Sequence, residues 1–419
     1  MRKNELVEKS YAIAKEQYAD AGVNTDVALE ALQKIAISLH CWQADDVIGF
    51  ETLGNIGGSG IQPIGNHPGK ARNVGEVRAD LEKAMSMLGG KHRVNLQAIY
   101  GDFGGKDVGR DKFAPEHFAG WVQWAADKKL KLDFNSSSFG HPKSGDLTLA
   151  NPDKAIRDYW IEHTKQSRLI SEYIGKNQND PCIMNIWVHD GMKDITVNRL
   201  LYRQILEASL DDIYSISYEN IKDCMEAKLF GLGLESYTVG SYDFYLGYGA
   251  KKNKMVTLDT GHFHLTESIA DKISSLLLFT PGIMLHVSRP VRWDSDHVTI
   301  LDDDTLNLAK EIVRSNALDK VHVGLDFFDA SINRTGAYVI GARATQKAFL
   351  QALLEPINKL REFEMNGLYF ERLALLEEAK SLPWTAVWDY FCLKNNVPVG
   401  EDYIGELQKY EREVTLKRD

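Results

Sequence analysis

An alternation of strand-like and helix-like segments constrains this chain more than any other feature. Eight short apolar stretches with strand character recur at residues 37–42, 94–100, 130–135, 182–188, 225–230, 256–263, 283–288 and 322–328. Between them the spacing of apolar positions predicts helices, among them 76–87, 115–128, 154–174, 197–216, 268–278 and 304–314. A strand that pairs in parallel with the next needs a crossover, and a helix is the usual crossover. Eight such units are the number that closes a (β/α)8 TIM barrel, an α/β fold. An open doubly wound sheet is disfavoured, because no GxGxxG follows the first strand.

The ends depart from the alternation. Amphipathic patterns over 5–21 and 26–36 predict two N-terminal helices broken at Gly22, with Asn24 or Thr25 as cap. Beyond the eighth strand the patterns at 346–359, 367–381 and 386–394 are helical only. The expected organisation is therefore N-terminal helices 1–36 packing on the barrel, a barrel at 37–344, and a C-terminal helical extension at 345–419 that makes oligomer contacts. A glycine-rich stretch from Gly54 to Lys70 fails the GxxxxGK[ST] phosphate-loop pattern. It is expected to be a loop overhanging the active face.

Composition narrows the function. The net charge of -10 argues against a broad nucleic-acid surface and against anionic membranes. No apolar run reaches the ~18 residues of a membrane span. Cys41, Cys182, Cys224 and Cys392 form no CxxC pair. The first residues carry charge where a signal peptide is apolar. A reduced, cytoplasmic setting is expected.

In a barrel, chemistry sits at the C-terminal ends of the strands. The fifth strand offers Glu226 and Lys228; the sixth, Asp259, His262 and His264; the seventh, His286, Asp294 and Asp296; the eighth, Asp326 and Asp329. Asp294 and Asp296 are two apart, so an extended segment would present both carboxylates on one face. A lone histidine on an apolar strand is more often core than ligand, and a lone aspartate more often a cap. Four consecutive strands feeding one rim are a different matter. Glu226, Asp259, Asp294, Asp296 and Asp326 bring five negative charges. One divalent ion with Lys228 leaves an excess, whereas two ions with Lys228 neutralise them. Carboxylate and imidazole without thiolate suit Mn2+, Mg2+ or Co2+, with Zn2+ tolerated. A metal-dependent hydrolase on the same barrel and a carbohydrate-binding protein with a structural metal are the competing readings.

Longer stretches are more specific: His40-Cys41-Trp42-Gln43, Asn66 to Arg72, Met184-Asn-Ile-Trp187, Asp190 to Asp194, Lys228-Leu-Phe-Gly231, Glu235 to Gly240, His286 to His297 and Gly324 to Arg334. Through these the chain resembles the L-rhamnose isomerases along nearly its whole length. The resemblance implies a homotetramer that converts L-rhamnose to L-rhamnulose with two divalent ions per subunit, often Mn2+. It implies that Glu226, Asp259, His286 and Asp326 hold a structural ion, and that His262, Asp294 and Asp296 hold a catalytic one. Lys228 would face the sugar, so Lys228, Glu226 and Asp294 are the expected catalytic residues. Trp42, Trp187, Phe139 and Phe327 are expected as apolar walls. One position departs from the family: a histidine usually follows Asn95-Leu96, and here it is Gln97, which hydrogen-bonds but carries no proton at neutral pH. With every carboxylate assigned to a metal, a metal-promoted hydride shift is expected. His40 is the one alternative base.

Overall fold

The eight predicted strands close on themselves. In a computed structural model describing residues 4–51, 63–230 and 235–418, they form one parallel barrel. The strands are β1 (Ile37–His40), β2 (His92–Gln97), β3 (Lys131–Asn135), β4 (Cys182–Ile186), β5 (Ile221–Glu226), β6 (Met255–Asp259), β7 (Ile283–Val287) and β8 (Val321–Leu325). Each pairs with its neighbours in sequence, and β1 closes the ring by pairing with both β2 and β8. All residues of β4, β6 and β7 are buried, as expected of strands covered by helices outside and packed side chains inside. Much of the expected overhanging loop, residues 52–62, lies outside the described residues.

Most strands end earlier than expected, and two of the differences are informative. The fifth strand begins at Ile221, four residues before the expected start. Lys222 and Asp223 hide it by their polarity, yet both have partners at the base of the barrel. Lys222 Nζ donates to His322 Nε2 at 3.2 Å, and Asp223 pairs with Arg168 at 2.8 Å. The second strand ends at Gln97, and a 3-10 turn, Ala98–Tyr100, follows. A cavity of about 510 Å³ opens at this N-terminal end, lined by Ser38, Arg93, Asp133 and His322 among others. Arg93 and Asp133 pair there at 2.8 Å.

The ends of the chain pack on each other. The first helix, Asn4–Asp20, rests on Trp384–Lys394 in the C-terminal extension, not chiefly on the barrel. Tyr11 stacks on Tyr390 with ring centroids 3.8 Å apart. The second helix, Thr25–Leu32, is capped by the Asn24 side chain and packs on Arg334–Leu353. The expected division at 344/345 falls inside that last helix, which runs unbroken across it. The chain end returns to its own barrel: Arg418 pairs with Asp80 at 2.7 Å, and Glu411 with His67 at 2.6 Å. No helix among the described residues is long and apolar enough to cross a membrane.

Candidate metal centre

Four strands deliver their acidic and imidazole side chains to the C-terminal mouth. Glu226 closes β5, Asp259 closes β6, His286 lies near the end of β7, and Asp326 follows β8. The register sets Asp259 directly beside His286. One ligand atom from each of these four residues lies within 4.8 Å of the others. His286 Nδ1 is 3.1 Å from Glu226 Oε2, 3.3 Å from Asp326 Oδ2 and 3.9 Å from Asp259 Oδ2. Among the described residues, neither imidazole nitrogen of His286 has a hydrogen-bond partner, and neither does Asp259 Oδ2. The lone pairs converge on a common space instead of on one another.

A second group shares Asp259 and adds His262 and Asp294, again within 4.8 Å. His262 Nδ1 lies 3.1 Å from the Ala227 carbonyl, so it carries the proton and leaves Nε2 as the ligating atom. That Nε2 is 3.4 Å from Asp294 Oδ2. Gly261 permits the approach of the loop, since a Cβ there would lie 2.5 Å from Asp294 Oδ1. Asp296 is outside both groups, although it lines the same pocket. The segment is not extended as expected. Trp293 and Asp296 have φ of 52° and 42°, in the left-handed region, so the two carboxylates are not related by simple strand alternation.

The charges are out of balance. Burial pushes the Asp259 carboxyl well above the usual range, and the carboxylates of Asp326 and Glu226 add to the shift. Asp296 is pushed up by burial and by Asp294. Burial opposes charge on His286, yet Glu226 and Asp326 hold its imidazole well above the ordinary histidine range. Asp294 goes the other way: burial works upward, but Lys228 and His262 keep its carboxyl far below normal. Crowded carboxylates that take up protons, beside unpartnered ligand atoms, are what a site built for cations looks like without them. The donor set fits one divalent ion at Glu226, Asp259, His286 and Asp326, and a second at Asp259, His262 and Asp294.

Lys228 is buried and pairs with Asp294 at 2.6 Å, not with Glu226 beside it in the expected strand. Strand β5 ends at Glu226, so Lys228 belongs to the loop and turns across the mouth. Its ammonium lies 4.8 Å from the Trp187 ring and 5.3 Å from Phe230. The pocket above the ligands is lined by Trp42, Gln97, Phe139, Trp187 and Lys228, all expected there. Trp42 Nε1 also donates to Asp326 Oδ1 at 2.9 Å. Gln97 Oε1 and Trp187 Nε1 are buried without hydrogen-bond partners among the described residues, as is Ser136 Oγ on the same wall.

Several expectations fail. Phe327 is fully buried against His40 with centroids 4.6 Å apart, and its neighbour Phe328 lines the pocket instead. Asp326 faces inward, and period-two alternation would have selected Phe328 over Phe327. His40 is no free base: it bonds the Phe327 carbonyl through Nε2, and burial brings its pKa down to about 4. His264 is exposed and bonded to Thr266, and the Asp329 carboxylate caps Ser331. Val47, Asn135 and Ser136 line the pocket without having been expected. Asn135 closes the third strand and Ser136 follows it, so the strand-end rule could have found both, whereas Val47 has no such mark.

A sequence-family model described as L-rhamnose isomerase (RhaA) matches residues 5–418. The chain is 65% identical over 418 residues to an L-rhamnose isomerase of Bacteroides thetaiotaomicron, covering 100% of both chains. It is 52% identical over 415 residues to an L-rhamnose isomerase of Enterobacter sp. (strain 638), covering 98% of this chain and 99% of that one. Among solved structures, an L-ribulose 3-epimerase aligns over 78% of this chain and 97% of its own, with 13% identity and a TM-score of 0.46.

Proposed function

Because the chain belongs to the L-rhamnose isomerase family, we infer that it interconverts L-rhamnose and L-rhamnulose as a metal-dependent aldose–ketose isomerase, by hydride shift from C2 to C1. The observation that carries this reading is Asp259, whose carboxylate belongs to two ligand groups at once, under a pocket walled by Trp42, Phe139 and Trp187. In this reading Glu226, Asp259, His286 and Asp326 hold a structural ion. Asp259, His262 and Asp294 hold the catalytic one, with Asp296 adding its charge from the same wall. The ions are Mn2+ in preference to Co2+, Mg2+ or Zn2+, given oxygen and imidazole donors without thiolate. When bound, the catalytic ion supplies Lewis acidity to the C1 carbonyl and O2 of the open-chain sugar.

The chain's own residues supply the rest. Burial opposes charge on Lys228, but Asp294 and Asp296 raise its pKa and keep it an ammonium. It donates toward the sugar oxygen that gains charge as the carbonyl is reduced. Gln97, Ser136 and Trp187 offer the sugar hydroxyls polar atoms that have no partner among the described residues. Phe139, Trp187 and Phe328 exclude water around the reacting carbons. A carbon base would have to reach the C2 hydrogen. Of the five carboxylates at the mouth, four are committed as ligands in this reading and the fifth, Asp296, is hydrogen-bonded to Asp294, and His40 is sealed behind Phe327. Hydrogen therefore passes directly from C2 to C1 while a proton moves from O2 to O1. We place the enzyme in the cytoplasm as a homotetramer.

Turnover of L-rhamnose in D2O, read by mass spectrometry of the ketose, tests this. The expected product carries no deuterium on carbon. Close to one deuterium at C1 per turnover would rule the hydride route out.

A further inference from the structure

We propose that Asn185 is a positioning residue that holds the Glu226 carboxylate in its ligating orientation, as the end of an amide relay around the inside of the barrel. This rests on the metal assignment above. The relay crosses strands β2 to β6. Asn135 Nδ2 donates to Asn95 Oδ1 at 2.6 Å and to the Leu96 carbonyl at 3.2 Å. Asn185 Nδ2 donates to Asn135 Oδ1 at 3.0 Å and to Glu226 Oε2 at 2.5 Å. Thr257 Oγ1 donates to Asn185 Oδ1 at 2.7 Å. Asn95, Asn135, Asn185, Thr257 and Glu226 are each at most 5% exposed.

The geometry admits one orientation of the Asn185 amide. Its two N–H groups and its carbonyl are all engaged. Turning it over would set its carbonyl against Glu226 and Asn135 Oδ1, and its NH2 against the Thr257 hydroxyl. The Thr257 hydroxyl could accept instead of donate, but the other two contacts would set acceptor against acceptor in a buried site. The Asn185 donor occupies one lone pair of Oε2 and carries no charge of its own. It fixes the carboxylate plane without competing as a cation. The register of neighbouring strands lines this relay up, because Asn135 and Asn185 are paired across β3 and β4, and Glu226 and Thr257 across β5 and β6.

The test is calorimetric titration of Mn2+ into metal-stripped full-length protein, with thermal scans of the same stripped samples. Asn185→Leu should weaken one Mn2+-binding step, that of the ion assigned to Glu226, about 10–100-fold, the usual effect of removing a group that orients a ligand. Thr257→Val, which leaves Asn185 in place but unlocks it, should weaken the same ion by a smaller factor, and Thr257→Ser should restore wild-type affinity. Should Asn185→Leu fail to fold, the two Thr257 variants decide the matter. Mn2+ affinity unchanged in the variants, with only a lower thermal midpoint, would overturn the relay and leave the metal site standing. Wild-type protein that binds no Mn2+ would overturn the metal assignment and the relay with it.

Discussion

Phe327 and Phe328 are adjacent and chemically identical, yet the barrel gives them opposite tasks. Phe327 is fully buried, and its ring lies over Gly341, where a Cβ would come within 2.5 Å of it. Phe328 faces the pocket with Trp187 and Lys228. Phe327→Ala should therefore destabilise the fold by about 3–5 kcal/mol, the usual cost of emptying an aromatic core position. Phe328→Ala should cost about 1 kcal/mol but raise KM for the sugar. Denaturant midpoints and KM measured on both variants check this. Equal destabilisation by the two changes would refute the assignment. Lys228 makes the same point for charge: its partner is Asp294, from a loop two strands away, and Glu226, two residues off, is left to its other contacts.

At the scale of elements, the C-terminal extension divides into two parts. The last helix, Tyr403–Glu413, and the chain end are tied to the barrel through Asp80 and His67. The hairpin of Ile357–Met365 and Tyr369–Ala379 is held more lightly, through Arg361 donating to the Arg314 carbonyl, and its second helix buries no residue. Met365 is 84% exposed, Phe370 78% and Leu373 59%. Apolar faces of this kind often mark interaction surfaces, and in the proposed homotetramer a neighbouring subunit would cover this one. Phe370→Glu combined with Leu373→Glu should shift sedimentation to a smaller species with unchanged circular dichroism. A tetramer that survives both changes would remove the hairpin from the interface.

For the whole molecule, the mouth of the barrel concentrates five carboxylates around one lysine, and that imbalance should show in stability. A cation that binds the folded chain and not the unfolded one stabilises it by mass action, by about 2.7 kcal/mol at a hundredfold excess over Kd. Chelation should lower the thermal midpoint and abolish isomerisation, and Mn2+ or Co2+ should restore both. A midpoint that ignores Mn2+, or full turnover in verified metal-free protein, would contradict the site.

Sequence alone determined the barrel and the chemical types at its mouth. Strand and helix periods are written locally, residue by residue, and eight alternating units leave few ways to bury their apolar faces. Asp259, His286 and Asp326 were legible for the same reason, since each stands in a recognisable strand pattern, and Glu226 was found although its strand begins four residues before the expected start. Tertiary structure decided which side chains meet. The pairing of Lys228 with Asp294, the exclusion of Asp296 from both ligand groups, and the relay from Asn95 to Glu226 all depend on register between strands 40 or more residues apart, and on left-handed turns at Trp293 and Asp296. So does the continuity of Arg334–Leu353 across the expected domain boundary. Local periodicity specifies which face of an element is apolar. It carries no information about which polar group stands opposite once the ring has closed.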